Sequence, residues 1–198
     1  VAEVTRIATV AYTADNTINL AESNQSQTVS GRVGNDVQVG DTVTVTVGDQ
    51  SYQTTVTAAD GGNIWSVNVP GSVLAGNSAV NATVTTTDAA GNTASANASH
   101  GYEVDVTAPE ATISIDTITA DNVINVAESG QTISVTGQVG ANVQAGDTVT
   151  VTVGGESYQT TVNADGTTWS VGVPGNVLAG NSSVNATVTT SDAAGNMT

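Results

Sequence analysis

Cysteine, phenylalanine and lysine are absent from this 198-residue chain, and large aromatic side chains are rare, with two tryptophans and four tyrosines. Valine, isoleucine, leucine and alanine must therefore fill any core, and β-branched residues favour strands. The lack of cysteine does not fix the compartment, because secreted domains often carry disulfides whereas many bacterial surface proteins do without them. The composition favours an all-β protein with a core of small side chains.

Positive charge is almost as scarce. Eighteen acidic residues stand against two basic ones, Arg6 and Arg32, which gives a formal net charge of −16. Binding to nucleic acid needs Lys and Arg to displace counterions from phosphates, so neither nucleic acid nor an anionic membrane surface is an expected partner. A chain this acidic repels itself unless cations condense on it. The acids could serve solubility alone, but their clustering at loops favours divalent-metal binding.

Long apolar runs are missing as well. No segment has the length of continuous hydrophobic sequence that a membrane-spanning helix needs, and the chain carries no recognisable signal peptide. We therefore expect no direct insertion into a membrane, and we expect the chain to be a soluble piece of a longer protein.

Internal repetition is the strongest positive signal. Asp15–Ser23 returns as Asp121–Ser129, a shift of 106 residues. After a two-residue deletion, Asp88–Asn92 returns as Asp192–Asn196. A period above one hundred residues is too long for a solenoid unit and matches a self-contained domain. The chain is thus a tandem copy, and its function is expected to lie in being repeated more than in a single pocket.

Each copy is predicted to consist of short strands. Thr42–Val47 and its copy Thr148–Val153 alternate polar and apolar residues, as half-buried antiparallel strands do. Turn sequences rich in Gly, Asn and Asp separate about seven such strands, and no helical periodicity is found. This pattern is typical of an immunoglobulin-like β-sandwich. We predict an all-β chain of two tandem immunoglobulin-like domains, residues 1–106 and 107–198.

The junction between the two copies is short. It contains Asp105 to Pro109 without a Gly/Ser spacer, and Pro109 favours extended backbone at the residue before it. We therefore expect the domains to follow each other with little slack, in an extended arrangement. The second copy is expected to lack a counterpart of Thr93–Val104, the last strand of the first, which would leave an unpaired strand edge.

Acidic residues cluster in the connection between the first and second strands of each copy. They are Asp15 and Glu22 in the first copy, and Asp116, Asp121 and Glu128 in the second. Oxygen ligands from flexible loops, with no His or Cys nearby, suit Ca²⁺, which takes six to eight oxygens. The first copy has Val10 where the second has Asp116, so its site is expected to be weaker or to use other oxygens.

A second candidate group lies near the junction. It combines Asp105 with Asp192 and Asn196 of the following domain's last turn, and Asp88 is the counterpart of Asp192 in the first copy. The alternative is that Asp and Asn simply build turns. The predicted ion is calcium, and the candidate metal ligands are Asp15, Glu22, Asp88, Asp105, Asp116, Asp121, Glu128, Asp192 and Asn196.

Catalysis finds little support. His100 is the only histidine, has no copy in the second domain, and is expected to be exposed to solvent. No nucleophile–base pair, zinc spacing or phosphate-binding glycine loop is present. Paired acids of a glycosidase would need a cleft lined by aromatics, whereas Trp65 and Trp169 are expected to pack in the core or at a sheet edge. We predict that the chain is not an enzyme.

Several segments together resemble a known family. Asp105–Pro109, Ile113–Asp116, Thr119–Asn125, Gly146–Val149 and Asp192–Asn196 resemble the bacterial immunoglobulin-like extender repeats of giant Gram-negative adhesins. Those adhesins are the large repeats-in-toxin and biofilm-associated proteins delivered by type I secretion. The resemblance covers both copies, and this sequence departs from the pattern at Val10 and in the last strand of the second copy.

The resemblance implies a role. It indicates a stalk of tandem sandwiches on the bacterial cell surface, monomeric, with neighbouring repeats of the same chain as partners. Calcium at and near the linkers would stiffen the stalk, which projects a distal ligand-binding domain. The alternative hypothesis is a module that binds a glycan or a host protein directly. Residues that differ between the copies would carry that binding: Arg6, Tyr12, Arg32, His100 and Tyr102.

Overall fold

A computed structural model describes residues 7–10, 13–34 and 36–198. The chain divides into two compact units, Val1–Thr107 (unit 1) and Ala108–Thr198 (unit 2). Strands dominate both units, and the helices are single turns. The predicted all-β fold is therefore confirmed.

Unit 1 follows the alternation of its sequence. Its strands are β1 (Ile7–Val10), β2 (Thr17–Asn19), β3 (Ser26–Val33), β4 (Thr42–Val47), β5 (Gln50–Thr55), β6 (Thr57–Ala59), β7 (Gly62–Pro70), β8 (Ala79–Thr87), β9 (Thr93–Gly101) and β10 (Glu103–Asp105). One sheet has the order β1-β3-β7-β6 and the other the order β5-β4-β8-β9. The strands within these two sheets are antiparallel, whereas β10 pairs in parallel with β2.

Unit 2 repeats the plan with fewer strands among the described residues. They are β11 (Ala111–Ile113), β12 (Thr132–Ala141), β13 (Thr148–Val153), β14 (Glu156–Thr161), β15 (Thr168–Pro174) and β16 (Asn185–Thr189). One sheet has the order β11-β12-β15 and the other the order β14-β13-β16. Where β8 of unit 1 is flanked by β4 and β9, β16 pairs along its length with β13 alone in the described part of the chain.

The described part of the chain contains four one-turn helices, although no helix was expected. They are α1 (Leu20–Ser23), α2 (Gly71–Ala75), α3 (Val126–Ser129) and α4 (Gly175–Ala179). A segment of four or five residues is too short to show a 3.6-residue period, so hydrophobic periodicity does not detect it. The signal lies instead in the caps, because Asn followed three residues later by Glu marks the start of α1 and of α3.

The core of each unit lies between its two sheets. In the strand that alternates Thr with Val, every valine is buried and every threonine faces outward, in β4 as in β13. Trp65 and Trp169 are 0% and 1% exposed, which confirms that they are core residues. Their burial removes them as sugar-stacking platforms.

The loops of each unit lie at two opposite poles. In unit 1, the backbone N–H of Gly71 donates to the carbonyl of Gln25, which joins α2 to the connection between β1 and β3. At the other pole, the hydroxyl of Thr86 donates to the carbonyl of Asp36, 3.2 Å away. The acids of the first connection of unit 1 therefore lie at the pole opposite to Asp36 and Asp88, whereas the turn at Gly48 and Asp49 lies at the same pole, close to Asn77.

Candidate functional site

Most of the candidate metal ligands lie in or beside what we call the first connection, residues 13–25 in unit 1 and 117–131 in unit 2. Each first connection ends in a capping box. In unit 2, the Asn125 side chain accepts from the backbone N–H of Ala127 and Glu128, and Glu128 Oε2 accepts from Asn125 N–H at 2.9 Å. Asn19 and Glu22 make the same reciprocal pair in unit 1.

The capping box fixes the two glutamates. It holds each carboxylate through Oε2 at the start of a helical turn, because that oxygen satisfies a backbone donor which has no partner inside the helix. Sequence reasoning treated Glu22 and Glu128 as metal ligands only and missed this structural role. The Asn-x-x-Glu spacing was the signal that would have revealed it.

Asp15 and Asp121 occupy equivalent tight turns. Asp15 Oδ1 accepts from the N–H of Thr17 at 3.0 Å, and Asp121 Oδ1 accepts from the N–H of Val123 at 3.1 Å. The residue after each aspartate is an asparagine at positive φ, 61° for Asn16 and 58° for Asn122. Asparagine tolerates that left-handed backbone better than most residues, so the pair Asp-Asn sets the shape of the turn.

Hydrogen bonds also hold Asp121 in its ionised form. The backbone N–H of Val123, followed by the hydroxyl of Thr119, lowers the pKa of this exposed carboxyl below its ordinary value. A carboxylate kept negative in this way is a suitable ligand for a cation.

Asp116 distinguishes the first connection of unit 2. Its N–H donates to the carbonyl of Thr136 at 2.9 Å, and its Oδ2 accepts from the hydroxyl of Thr136 at 2.8 Å. The equivalent residue of unit 1, Val10, pairs with Ser30 through its backbone, and its side chain lies outside the described part of the structure. The carboxylate is therefore fixed beside the first connection of unit 2, where unit 1 has an apolar residue type.

Asp105 is brought to the first connection of unit 1 by strand pairing. The parallel register of β10 and β2 sets Asp105 beside Asn19, the residue that caps α1. Asp105 Oδ1 accepts from the N–H of Thr107 at 3.1 Å. This placement was not predicted, because the pairing of β10 with β2 joins segments more than eighty residues apart.

Asp88 and Asp192 build the turn that follows β8 and β16. Asp192 Oδ1 accepts from the N–H groups of Ala194 and Asn196, and its Oδ2 accepts from the Asn196 side-chain amide at 2.9 Å. Asp88 makes the same pattern with Ala90 and Asn92. The asparagine side-chain bonds lower the pKa of both carboxyls. Turn formation thus accounts for the recurrence of Asp-Ala-Ala-Gly-Asn, and metal binding at these residues stays a prediction.

The chemistry of the first connections fits a hard cation, although the acids do not form a tight cluster. Among the residues that the structure describes, no three acidic, His or Cys side chains gather as a metal-binding group. Each first connection nevertheless offers only oxygen ligands: carboxylates, asparagine amides and backbone carbonyls. Calcium accepts such mixed sets and completes its shell with water.

In each unit one glycine, Gly71 or Gly175, packs directly against the backbone of the first connection and holds it in place. Gly175 N–H donates to the carbonyl of Gln131 at 2.7 Å, as Gly71 does to Gln25. A Cβ on Gly175 would collide with the carbonyl of Glu128, and one on Gly71 would collide with that of Glu22. Only glycine allows this approach, so α2 and α4 set the position of the acidic connections.

The position of His100 differs from the prediction that this side chain is exposed to solvent. It is half-buried rather than exposed, and its Nε2 lies 2.6 Å from Asn16 Oδ1. The cause is the register of β9, which pairs His100 with the buried Val80 and so turns the imidazole inward. The histidine thus ties the last long strand of unit 1 to the first connection.

No helix within the described residues is both long and apolar enough to cross a membrane. No protein-family model matches the chain, and no curated protein sequence matches it closely. Solved structures do match.

One is a Ca²⁺-stabilised adhesin that helps an Antarctic bacterium reach out and bind ice. It is 43% identical over 99% of this chain with a TM-score of 0.91, and the match covers 47% of that structure. Another comes from a 1.5-MDa bacterial ice-binding adhesin studied for host cell surface retention, with 42% identity over 97% of this chain, a TM-score of 0.83 and 60% of that structure covered. This chain therefore spans less than two thirds of either structure.

A third is a bacterial immunoglobulin-like domain from the M. primoryensis ice-binding adhesin, 43% identical over 50% of this chain and 95% of that structure, with a TM-score of 0.47. The two longer matches span both units, and their identity exceeds two residues in five. The chain belongs to the immunoglobulin-like repeats of large bacterial adhesins, the family that its motifs resemble.

Proposed function

We propose that this chain is a non-enzymatic spacer within a bacterial surface adhesin, and that calcium bound at its loops stiffens it. The observation that carries the proposal is the 43% identity, across 99% of this chain, to an adhesin that calcium stabilises. The tandem copies support it, because a spacer gains length by repetition. Its partners would then be neighbouring repeats, its location the cell surface, and its task the projection of a distal ligand-binding domain.

In unit 2, Asp116, Asp121 and Glu128 are the residues that would hold the ion, with Asn122 and backbone carbonyls as further oxygen ligands. Hydrogen bonds already fix one oxygen of each carboxylate: Asp116 Oδ2, Asp121 Oδ1 and Glu128 Oε2. Calcium would neutralise these charges and restrain the first connection. In unit 1, Asp15, Glu22 and Asp105 would serve, and restraint at Asp105 would stiffen the approach to the junction.

The net charge and the expected affinity for calcium indicate how much bound calcium would stabilise the folded chain. Extracellular modules bind calcium with dissociation constants of about 10⁻⁴ to 10⁻³ M. At free calcium ten to one hundred times higher, one site adds roughly 1.4 to 2.7 kcal/mol to the free energy of unfolding. That is a substantial part of the stability of a small domain. A chain with a formal net charge of −16 gains further because bound cations reduce self-repulsion.

Direct binding of a glycan is less well supported. The two tryptophans are buried, and Tyr102 is 6% exposed with its hydroxyl donating to the carbonyl of Leu74. Arg32 donates to the carbonyl of Gly61. Arg6 and Tyr12, two other residues that differ between the copies, lie outside the described residues. The aromatic stacking surface that a sugar site needs is therefore not found among the described tryptophans or at Tyr102.

The test is scanning calorimetry of the 198-residue chain with calcium and with EDTA. For one occupied site per unit, we expect calcium to raise the melting temperature by roughly 5 to 20 °C. The double variant Asp116→Asn/Glu128→Gln should lose most of the increase in unit 2. Glutamine still satisfies the capping box, so a loss of calcium response would report the ion rather than the cap.

Glu156→Gln is the matched control, because Glu156 lies at the start of β14 and outside the first connection. It removes one charge and should keep the full calcium response. An unchanged melting temperature of the parent chain with and without calcium would contradict the calcium part of the proposal.

A further inference from the structure

The pair Asp-Gly occurs twice in the chain, at Asp60-Gly61 and at Asp165-Gly166, and the pair Asn-Gly does not occur. Each Asp-Gly lies in the turn before the strand that carries the tryptophan, β7 in unit 1 and β15 in unit 2. An aspartate followed by glycine is open to a backbone rearrangement, because glycine has no side chain to shield its nitrogen from the neighbouring carboxyl group. The two units therefore hold the same reactive pair in two different turns.

In unit 1 both reacting groups are unengaged. Asp60 and Gly61 form the two-residue loop of the β6–β7 hairpin, in which Ala59 pairs with Gly62, and both loop residues are exposed to solvent. Among the described residues, no hydrogen bond is made by the Asp60 carboxylate or by the Gly61 N–H. The Gly61 carbonyl, in contrast, accepts from Arg32 Nη1 at 3.3 Å. The carboxyl group and the nitrogen beside it can thus approach each other without breaking a contact.

In unit 2 both reacting groups are engaged. Asp165 Oδ1 accepts from the N–H groups of Thr167 and Thr168 at 2.8 and 2.9 Å, and its Oδ2 accepts from the Thr168 hydroxyl. The Gly166 N–H donates to the carbonyl of Asn163 at 2.9 Å. These bonds hold the carboxylate on the two threonines and the nitrogen on Asn163, so they must break before carboxyl group and nitrogen can react.

The charge of Asp165 opposes the reaction as well. The carboxyl group has to give up one oxygen as water, which its protonated form does far more readily than the carboxylate. The hydrogen bonds from the Thr168 hydroxyl and from the N–H groups of Thr167 and Thr168 lower the pKa of Asp165 to about 2 and so keep it ionised. Geometry and charge therefore protect the turn of unit 2 together.

We propose that Asp60 is a site of spontaneous isoaspartate formation in the folded protein, and that the equivalent Asp165 is protected from it. The Gly61 nitrogen attacks Cγ of Asp60, a C–N bond forms, and one carboxyl oxygen leaves as water with the amide proton and the carboxyl proton. The product is a five-membered cyclic imide. Water then adds to the former backbone carbonyl of Asp60 and opens the ring, so that the chain runs through Cγ and the α-carboxylate is released. Opening at the other carbonyl regenerates aspartate.

The modification changes the hairpin, because isoaspartate lengthens the backbone of the loop by one carbon atom. The pairing of Ala59 with Gly62 and the bond from Arg32 to the Gly61 carbonyl both depend on the length of that loop. We therefore expect isoaspartate at residue 60 to loosen the end of the hairpin while the turn at Asp165 stays intact. The two units of the chain would then age at different rates.

The experiment incubates the full 198-residue chain in water enriched in the heavy oxygen isotope and follows peptides of both turns by mass spectrometry. Opening of the imide inserts one heavy oxygen atom, and electron-transfer fragmentation distinguishes isoaspartate from aspartate. In the folded chain, Asp60 should take up heavy oxygen at least about tenfold faster than Asp165, because a single hydrogen bond to a charged group already accounts for a factor of that size. In urea, where both turns are unfolded, the two sites should react at similar rates.

Asp60→Glu is the matched variant, because glutamate would have to close a six-membered ring, which forms far more slowly. It should take up no heavy oxygen at residue 60 and should leave Asp165 as in the parent chain. The proposal is overturned if Asp60 takes up no heavy oxygen in the folded chain, or if Asp165 reacts as fast as Asp60 there. The same ratio of rates in urea would show that the residue after each Asp-Gly pair, and not the fold, sets the difference, which would overturn the protection of Asp165.

Discussion

Gly71 and Gly175 decide how closely the acidic connections approach the rest of each unit. Their N–H groups donate to Gln25 and Gln131, and a side chain at either position would meet a backbone carbonyl that cannot move independently. Because the carbonyls that would be displaced belong to Glu22 and Glu128, these glycines couple the packing of α2 and α4 to the candidate calcium ligands.

Gly175→Ala should therefore destabilise unit 2 by about 1 to 3 kcal/mol through overpacking, and should also weaken its response to calcium. Chemical denaturation with and without calcium, followed through the single tryptophan of each unit, measures both effects. Gly180→Ala is the control, because a Cβ there would lie 3.5 Å from the nearest backbone oxygen, an ordinary contact. Equal stability of the two variants would contradict the account of this glycine.

The carboxylate of Asp165 stabilises the turn in which it lies. It accepts from the N–H of Thr167 and from both the N–H and the hydroxyl of Thr168. The Thr168 hydroxyl, followed by the two backbone N–H groups, lowers the pKa of this carboxyl from 3.8 to about 2. In the corresponding turn of unit 1, two glycines follow Asp60, and Asn63 and Ile64 take the place of the two threonines before the tryptophan.

The direction of the pH effect follows from the lowered pKa. A carboxyl whose pKa is lower in the folded than in the unfolded state stabilises the fold above the unfolded value, and this stabilisation is lost as the pH falls from about 4 to about 2. Asp165→Asn should make unit 2 less sensitive to acid over that range, and Asp60→Asn serves as the comparison in unit 1. Urea unfolding at several pH values measures it, and an unchanged acid dependence would contradict the assignment.

At the level of single residues, the sequence predicts which types of metal ligand the loops carry, but not the hydrogen bonds that these side chains make within the fold. The oxygen-only composition of the loops indicates a hard cation, and Asp15 and Asp121 lie in the loops as predicted. The capping role of Glu22 and Glu128 and the inward position of His100 depend on partners that are recognised only once the backbone is placed. These are local hydrogen-bond choices, which composition does not determine.

Among the structural elements, β9 and β10 most clearly separate the two units. They close unit 1 by pairing with β8 and β2 and by burying Tyr102. Burial raises the pKa of the Tyr102 phenol from 10.0 to about 12. This follows because the charged phenolate loses solvation in that environment.

Tyr102→Phe should lower the free energy of unfolding of unit 1 by about 1 kcal/mol, since one hydrogen bond to a backbone carbonyl is lost. It should also remove a pH dependence. A phenol with a raised folded pKa contributes stability that is present below pH 10 and lost as the pH rises towards 12. Denaturation at pH 7 and pH 11 tests both effects, with Tyr52→Phe as the control. A variant that keeps the alkaline loss would show that Tyr102 is not its source.

The long strands were predictable because their alternation has a period of two residues and one face is buried. Predicted Thr42–Val47 is β4, and predicted Thr148–Val153 is β13. The short β2 and β10 strands were not predicted as a pair, because three residues carry no periodic signal and their pairing is parallel and distant in sequence. The helices α2 and α4 each begin at the glycine of a Pro-Gly step, a pair of residues that is typical of turns and so does not predict a helix.

The molecule consists of two copies of one unit, and the copies differ in the residues and strands that supply their candidate calcium ligands. Unit 2 carries Asp116 beside its first connection, and unit 1 carries the β9–β10 strands that bring Asp105 beside Asn19. Each unit therefore assembles its candidate ligands from a different set of elements. For a spacer, the expected consequence is a calcium response that differs in strength between the units but acts in the same direction in both.

Small-angle X-ray scattering of the 198-residue chain in calcium and in EDTA shows whether calcium stiffens the chain, because it measures the spread of interatomic distances rather than binding. If calcium stiffens the chain, we expect a narrow distribution of interatomic distances with a long maximum dimension in calcium, and a broader distribution with a shorter mean in EDTA. Identical distributions in the two conditions, at calcium concentrations that raise the melting temperature, would contradict the claim that calcium stiffens this chain.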